Sequence, residues 1–225
     1  MGTLSSNYPN SNAVEAALDR ANSAAHDVSI LNTEMTDVLA RLAALEYEPV
    51  KINSFTASPT TCEMGSSNSI NLSWTISKAA NLTINGTVVT GNSYAVTGVT
   101  NNQTFTLTAT DGVSTDNKTV NVNFANQIYW GAATDISAVT SLSNKVLSNN
   151  KSRTISVNAT TDKYIIYAIP ERLGNVVFYV GGFEGGFEEP VTQILTNQSG
   201  YQETYKVYRS TNANLGETTV EIREG

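Results

Sequence analysis

Residues 12–49 read NAVEAALDRANSAAHDVSILNTEMTDVLARLAALEYEP. Within them Val14, Leu18, Ala21, Ala25, Val28, Asn32, Met35, Leu39 and Leu42 follow one another at alternating steps of four and three. That is the a/d stripe of a heptad repeat, kept for about four heptads with one polar member. Asn12 with Glu15 three places on makes a capping box, which predicts a helix from Ala13 to about Tyr47. Pro49 cannot continue it. Such a helix leaves an apolar face open to water when it stands alone, so the stretch predicts self-association.

The seam narrows the form of that association. Leu31, Val38 and Leu45 lie at g positions beside the a/d stripe, and a wider apolar face favours more than two strands. Asn32 at an a position costs stability and fixes register. Small Ala21 and Ala25 make the first half weak, whereas Met35 to Leu45 is strongly apolar. The reading is a parallel trimer held through Leu18, Val28, Asn32, Met35, Leu39 and Leu42. The alternative is a lone amphipathic helix packed on its own globular domain, since helix-on-core packing also uses a/d/g patterns.

Beyond Pro49 the composition changes character. The 225-residue chain is 40% hydrophobic and 15% charged, with Asn, Thr, Ser, Val and Gly filling the difference. That mixture favours short strands and turns. The net charge of -7, without a basic run, argues against nucleic acid and anionic lipid as partners. Cys62 has no mate in the chain, so no intrachain disulfide forms. Met1 to Asn12 is polar rather than a charged n-region with an apolar h-region, and no window reaches the length of a membrane span. The expectation is a chain made and folded in a cytoplasm.

Residues 50–126 alternate like strands of a half-buried sheet. Ile70, Leu72, Trp74 and Ile76 alternate strictly with polar neighbours, and Asn85-Gly86 separates Leu82 and Ile84 from Val88 as a hairpin turn does. With the runs at Ile52–Ala57, Tyr94–Val96, Phe105–Ala109 and Val120–Phe124 there are about seven short strands. Two packed sheets with Greek-key connections, an Ig-like β-sandwich with Trp74 as core plug, fit best. Residues 127–225 are also β-rich, with one helix expected over Asp135–Leu147 from the spacing of Ile136, Val139, Leu142 and Val146, capped by Thr134 or Asp135. Tyr164 to Ile169 is an unbroken apolar run, which predicts a strand buried on both faces or at a subunit contact. The fold class is thus mainly β with an N-terminal α-helical coiled coil, an Ig-like sandwich and a second β-rich domain.

Catalytic parts are scarce. His26, the only histidine, falls at a b position, which points away from a coiled-coil axis. One His and one Cys make neither a zinc set nor a His-based triad in the globular segments, and no glycine-rich phosphate cradle is present. Glu184, Glu188 and Glu189 surround the glycine pairs of Gly181-Gly182 and Gly185-Gly186. They could serve as a glycosidase pair or hold Ca²⁺, but carboxylates adjacent in a loop are usually just solvated. Tyr179, Tyr201, Tyr205 and Tyr208 could stack on sugar rings, or be core or subunit contacts, the use that ordinary strand tyrosines favour. The sequons at Asn81, Asn85, Asn117 and Asn158 read as strand and turn residues in an Asn- and Thr-rich chain. No cofactor and no catalytic residue is expected.

The layout resembles small fibre or appendage proteins of tailed bacteriophages. The stretch from Lys51 to Phe124 looks like the Ig-like modules of virion proteins. Tyr164-Ile-Ile-Tyr-Ala-Ile-Pro170, Val180-Gly-Gly-Phe-Glu-Gly-Gly-Phe187 and Tyr208-Arg-Ser-Thr-Asn212 are similar to terminal domains of phage structural proteins of gut bacteria. The resemblance implies a non-enzymatic homotrimeric head or tail fibre of the virion, assembled in the bacterial cytoplasm. Residues 1–12 would dock on a capsid or tail protein, 13–49 form the stalk, 50–126 act as spacer, and 127–225 form a head that contacts host glycans. Its rivals are a baseplate or tail accessory protein that binds another virion protein and, from a different class, a glycan-cleaving enzyme.

Overall fold

The computed structural model describes residues 11–78 and 80–225. It divides into two units, Met1–Pro49 and Val50–Gly225. The docking segment expected over residues 1–12 lies outside the described residues except for its last two.

Among its described residues the first unit holds one helix, α1 (Ser11–Glu46), roughly 50 Å long at 1.5 Å per residue. Asn12 is already helical, so it is not the cap that the capping-box pattern suggested. Leu18, Val28, Met35, Leu39 and Leu42 are from 48% to 60% exposed, and Asn32 and His26 are exposed as well. Polar residues are tied back along the helix: Thr33 Oγ1 donates to Ser29 O (3.0 Å), Thr36 Oγ1 to Asn32 O (2.8 Å), and Arg41 lies 3.9 Å from Asp37 one turn earlier. Local ties of this kind contribute only about 0.2–0.5 kcal/mol each.

The second unit begins with β1 (Ile52–Ser58), β2 (Thr61–Glu63), β3 (Asn68–Ile76), β4 (Asn81–Ile84), β5 (Thr87–Val89), β6 (Ser93–Val99), β7 (Gln103–Thr110) and β8 (Thr115–Ala125). They form a three-stranded sheet, β1-β3-β6, and a five-stranded sheet, β2-β8-β7-β4-β5. The period of two explains the layering. On β3, Ile70, Leu72 and Trp74 turn inward while Asn71, Ser73 and Thr75 face out; on β7, Phe105, Leu107 and Ala109 turn inward. Both sheets feed one core that includes Ile52, Cys62, Trp74, Phe105 and Phe124. The β4–β5 hairpin turns at Asn85-Gly86, as the dipeptide predicts. Among the described residues there are eight strands rather than about seven: β2, which pairs in parallel with β8, carries only one inward apolar residue, Cys62.

Asn126 alone separates β8 from β9 (Gln127–Ala133). There follow β10 (Asn144–Leu147), β11 (Arg153–Ala159), β12 (Tyr164–Pro170), β13 (Val176–Val180), β14 (Phe183–Glu184), β15 (Val191–Thr196), β16 (Gln202–Arg209) and β17 (Gly216–Glu224). The sheets are β10-β9-β12-β16-β15 and β11-β17-β13-β14. Between them lies a core with Ile128, Ile165, Tyr167, Ile169, Phe178 and Ile222. A further core on the other face of the five-stranded sheet contains Tyr129, Val139, Leu142, Ile166, Ala168 and Tyr205. Strand β12 therefore buries odd-numbered residues on one side and even-numbered ones on the other, which is why its sequence is continuously apolar.

The helix expected over Asp135–Leu147 is not formed. A 3-10 helix covers Ile136–Ser141 and strand β10 takes Asn144–Leu147. Asp135 does cap it, accepting from the Ser137 N–H at 2.7 Å, and hydrogen bonding from Ser137 holds its carboxyl below the ordinary carboxylate range. Val139 and Leu142 meet the core together, but Val146 pairs in the sheet opposite Ile128. The apolar spacing of three and four served a short turn followed by a strand.

The halves on either side of Asn126 are fastened to each other. Asn126 is buried and its amide donates to Glu203 Oε2 (2.7 Å); Asn197 Nδ2 donates to Met64 O (2.7 Å). Gly65, at φ +79°, lies so close to Tyr201 that a Cβ there would collide with the tyrosine's own Cβ. Only glycine gives both that backbone angle and that approach.

Candidate functional site

The tyrosines singled out in the sequence do not gather. Tyr205 and Tyr208 are each only 4% exposed and face opposite sides of the same sheet. Tyr205 donates to Gln127 O (2.8 Å) and its ring packs on Tyr129, with centroids 5.9 Å apart. Tyr201 is half-buried against Gly65. Tyr179 lies on the outer face of β13, half-buried, donating to Glu184 Oε2 (3.0 Å), with the Arg223 guanidinium 4.2 Å above its ring. Arg223 in turn forks onto both oxygens of Glu221 at 2.8 Å. Tyr205 and Tyr208 are thus core residues, and only Tyr179 presents itself on a surface cluster.

Buried phenols give the protein an alkaline limit. Burial pushes the Tyr167 hydroxyl up to about 12, against a pull from Arg153, and burial first, then Tyr129 and Glu203, raises Tyr205 further. An unfolded tyrosine ionises near pH 10. Above that pH the unfolded chain loses protons that the folded chain keeps, so stability is fully present below pH ~10 and falls by about 1.4 kcal/mol per pH unit for each such tyrosine. The expected result is tyrosinate absorbance from these residues appearing together with loss of the β-sheet circular dichroism. Titration of Tyr167 near its ordinary value in a folded chain would contradict this.

The glycine pairs build a defined feature. Gly181 and Gly182, both at positive φ, make the two-residue turn between β13 and β14. The chain then folds back: Gly185 N–H donates to Phe178 O (2.8 Å), Thr211 N–H to Gly186 O (3.0 Å) and Glu188 N–H to Arg209 O (2.8 Å). This lays Phe187 on Phe178 as a stacked pair, with centroids 3.9 Å apart and planes at 14°. Tyr208 meets Phe178 edge-on at 5.0 Å. A hollow of about 220 Å³ opens over these rings, rimmed by Glu184, Glu188 and Glu189.

The three carboxylates are not alike. Arg209 forks onto Glu188, Nε to Oε2 at 3.0 Å and Nη2 to Oε1 at 2.9 Å, while its guanidinium lies 4.7 Å from the Tyr164 ring centre. Both oxygens of Glu188 are therefore engaged. Glu184 accepts the Tyr179 hydroxyl; burial raises the proton affinity of the Tyr208 hydroxyl, against a backbone hydrogen bond from Val176 that lowers it, with a smaller upward push from Glu189. Among the described residues no group of three or more His, Cys, Asp or Glu is placed to hold a metal ion. Sequence reading found the carboxylates but not the aromatic floor beneath them. The signal for it was Phe187 following the second glycine pair, which returns the chain to β13.

Tyr208 is the site's odd member. Its hydroxyl is buried beside the Val176 backbone N–H, in poorer than ordinary hydrogen-bond geometry. No protein-family model matches the chain, and no curated protein matches it.

Proposed function

We propose that this chain is a non-enzymatic structural protein of a tailed-phage particle, a homotrimeric head or tail fibre whose α1 helices form a parallel coiled coil. Residues 1–12 dock on a capsid or tail protein, and the β-rich unit is carried outward on the stalk. The observation that carries the reading is the exposed stripe of α1. Leu18, Val28, Met35, Leu39 and Leu42 leave an apolar seam in water at heptad spacing, and copies of the same helix are the partner that matches both spacing and length. Strand order supports an Ig-like sandwich for residues 50–126. Sheets β1-β3-β6 and β2-β8-β7-β4-β5 correspond to strands A-B-E and A′-G-F-C-C′ of that architecture. Three copies on one stalk, and many stalks on one particle, turn weak contacts into effectively intramolecular ones.

A second reading differs only in what the C-terminal half contacts: another virion protein instead of a host glycan. The burial of Tyr205 and Tyr208 favours it, because two of the four rings offered for sugar stacking belong to the core.

Native mass measurement at micromolar concentration tests the trimer. The full-length chain should weigh three copies. A shortened chain beginning at Tyr47, which keeps the buried Val50, should weigh fewer. A full-length chain that stays single removes the fibre reading.

A further inference from the structure

A second hollow, of about 230 Å³, lies where the two halves of the β-rich unit meet. Glu63 of β2 lines it from the first half; Tyr129 of β9, Thr140 of the 3-10 helix, Lys145 of β10, and Thr196 and Gln198 at the end of β15 line it from the second. Three observations mark it as more than a seam. The first is Tyr129. It is only 7% exposed, yet among the described residues its hydroxyl has no hydrogen-bond partner. Unlike Trp74 Nε1, that hydroxyl is not sealed in a core, so it meets the hollow. Burial raises its proton affinity first and the Glu63 charge raises it further, so the phenol keeps its proton and can both give and accept a hydrogen bond. The second is charge. Glu63 and Lys145 form no ion pair, with each other or elsewhere among the described residues, and Glu63 has only a long hydrogen bond from Gln127 Nε2 (3.5 Å). Lys145 stands directly opposite Tyr129 in the β9–β10 pairing, on the same face of the sheet. The third is the frame. Asn197 donates to Met64 O (2.7 Å) and accepts the N–H groups of Ser199 and Tyr201 at 3.0 Å each, which fixes the wall of the hollow at the end of β15 against the chain after β2.

We infer that this hollow binds a neutral pyranose ring through its hydroxyl groups, with the Glu63 carboxylate accepting from two vicinal hydroxyls, the Tyr129 hydroxyl and the Lys145 ammonium donating, and Thr140, Thr196 and Gln198 completing the rim. The wall selects the class. A carboxylate only accepts and an ammonium only donates, whereas the hydroxyl and amide groups between them do both, as does every hydroxyl of a sugar. A ligand with net charge meets one like charge here, since the hollow holds one charge of each sign. An amino-acid zwitterion answers Glu63 and Lys145 but leaves the hydroxyl groups of Tyr129, Thr140 and Thr196 unused. A metal ion finds a single carboxylate among the lining residues. The Tyr129 ring is buried and offers no face for stacking, so a lone sugar ring is held by hydrogen bonds alone. The inference gives the glycan contact of the fibre reading a location and rests on that reading for the source of the sugar, but the hollow itself is built within one chain.

NMR titration of the full-length protein with glucose, galactose, mannose and N-acetylglucosamine tests it, with alanine as the zwitterionic comparison. At least one of these sugars should bind with a Kd of about 1–10 mM, and alanine about tenfold or more weakly. Glu63→Gln should weaken the sugar about tenfold. Tyr129→Phe removes an oxygen that has no partner in the chain, so it should weaken binding about fivefold and leave Tm unchanged, whereas a merely structural hydroxyl would move Tm and not binding. No binding of any of these sugars at roughly 100 mM would overturn the inference, as would sugar binding that both substitutions leave unchanged, or alanine binding as tightly as the best sugar. The same Kd is expected for a chain made monomeric in α1, so a full-length protein that stays single removes the fibre reading without removing this one.

Discussion

Replacing Met35 and Leu39 together by Asp is expected to convert the full-length protein from three copies to one. Each of these side chains is more than half exposed on an isolated α1 and becomes buried at the proposed seam. Burial of a side chain of this size contributes about 2 kcal/mol, so two positions in three copies amount to on the order of 10 kcal/mol per assembly. Carboxylates at the same places add a desolvation cost of their own. The helix should fray as the copies part, because a helix of this kind held only by local ties is marginal in water. Circular dichroism at helical wavelengths should fall while the β signal stays, since Val50–Gly225 has cores of its own. Unchanged mass on sedimentation would refute the seam.

The second large effect belongs to Tyr167. It is fully buried on β12, its ring meets Phe178 edge-on with centroids 5.9 Å apart, and its hydroxyl donates to Lys151 O at 2.7 Å. Tyr167→Ala removes the ring from the layer between the two C-terminal sheets and should cost about 3–5 kcal/mol in urea unfolding, by analogy with other buried aromatics. Tyr167→Phe keeps the ring and loses only one hydrogen bond, about 1 kcal/mol. Similar losses for the two substitutions would mean that the hydroxyl, not the packing, carries the effect. Phe183 is a control on the same half: at 82% exposure its replacement by Ala should change little.

Sequence periodicity reached the elements whose surroundings are uniform. The heptad steps of Val14 to Leu42 mark a helix, because every turn along that face meets the same environment. The strict alternation through Ile70, Leu72 and Trp74 marks a strand with one wet face. The run from Tyr164 to Ile169 left burial on both faces or a subunit contact open, and the structure has the first: Ile166 and Ala168 are covered by a 3-10 turn from a distant stretch. In that turn Ile136, Val139 and Leu142 share their spacing with a longer helix, and nothing local says that Asn144 begins a strand. Strand β2 is not legible in the sequence, because three residues cannot show a period.

For the tyrosines the sequence does carry a signal. Tyr205 and Tyr208 stand three residues apart on one strand, an odd step, so they must face opposite sides of the sheet. Tyr179 follows the inward Phe178 and so must face outward. By contrast, the stacking of Phe187 on Phe178 depends on how the Gly185-Gly186 pair returns the chain, which no alternation pattern encodes.

The parallel pairing of β2 with β8 has a mechanical meaning. The chain enters β2 from the Val50 side and leaves β8 toward Gln127, with Thr61 opposite Asn123 and Glu63 opposite Ala125. Tension applied along the backbone between those two points drags the strands past each other lengthwise. The clasp they form, extended by Asn123 N–H to Thr60 O (2.9 Å) and Met64 N–H to Ala125 O (3.0 Å), must then break all its links at once. A hairpin such as β4–β5, tugged at its open end, instead unzips one rung at a time. A short parallel strand thus gives the first half of the β-rich unit a grip against stretching out of proportion to its length.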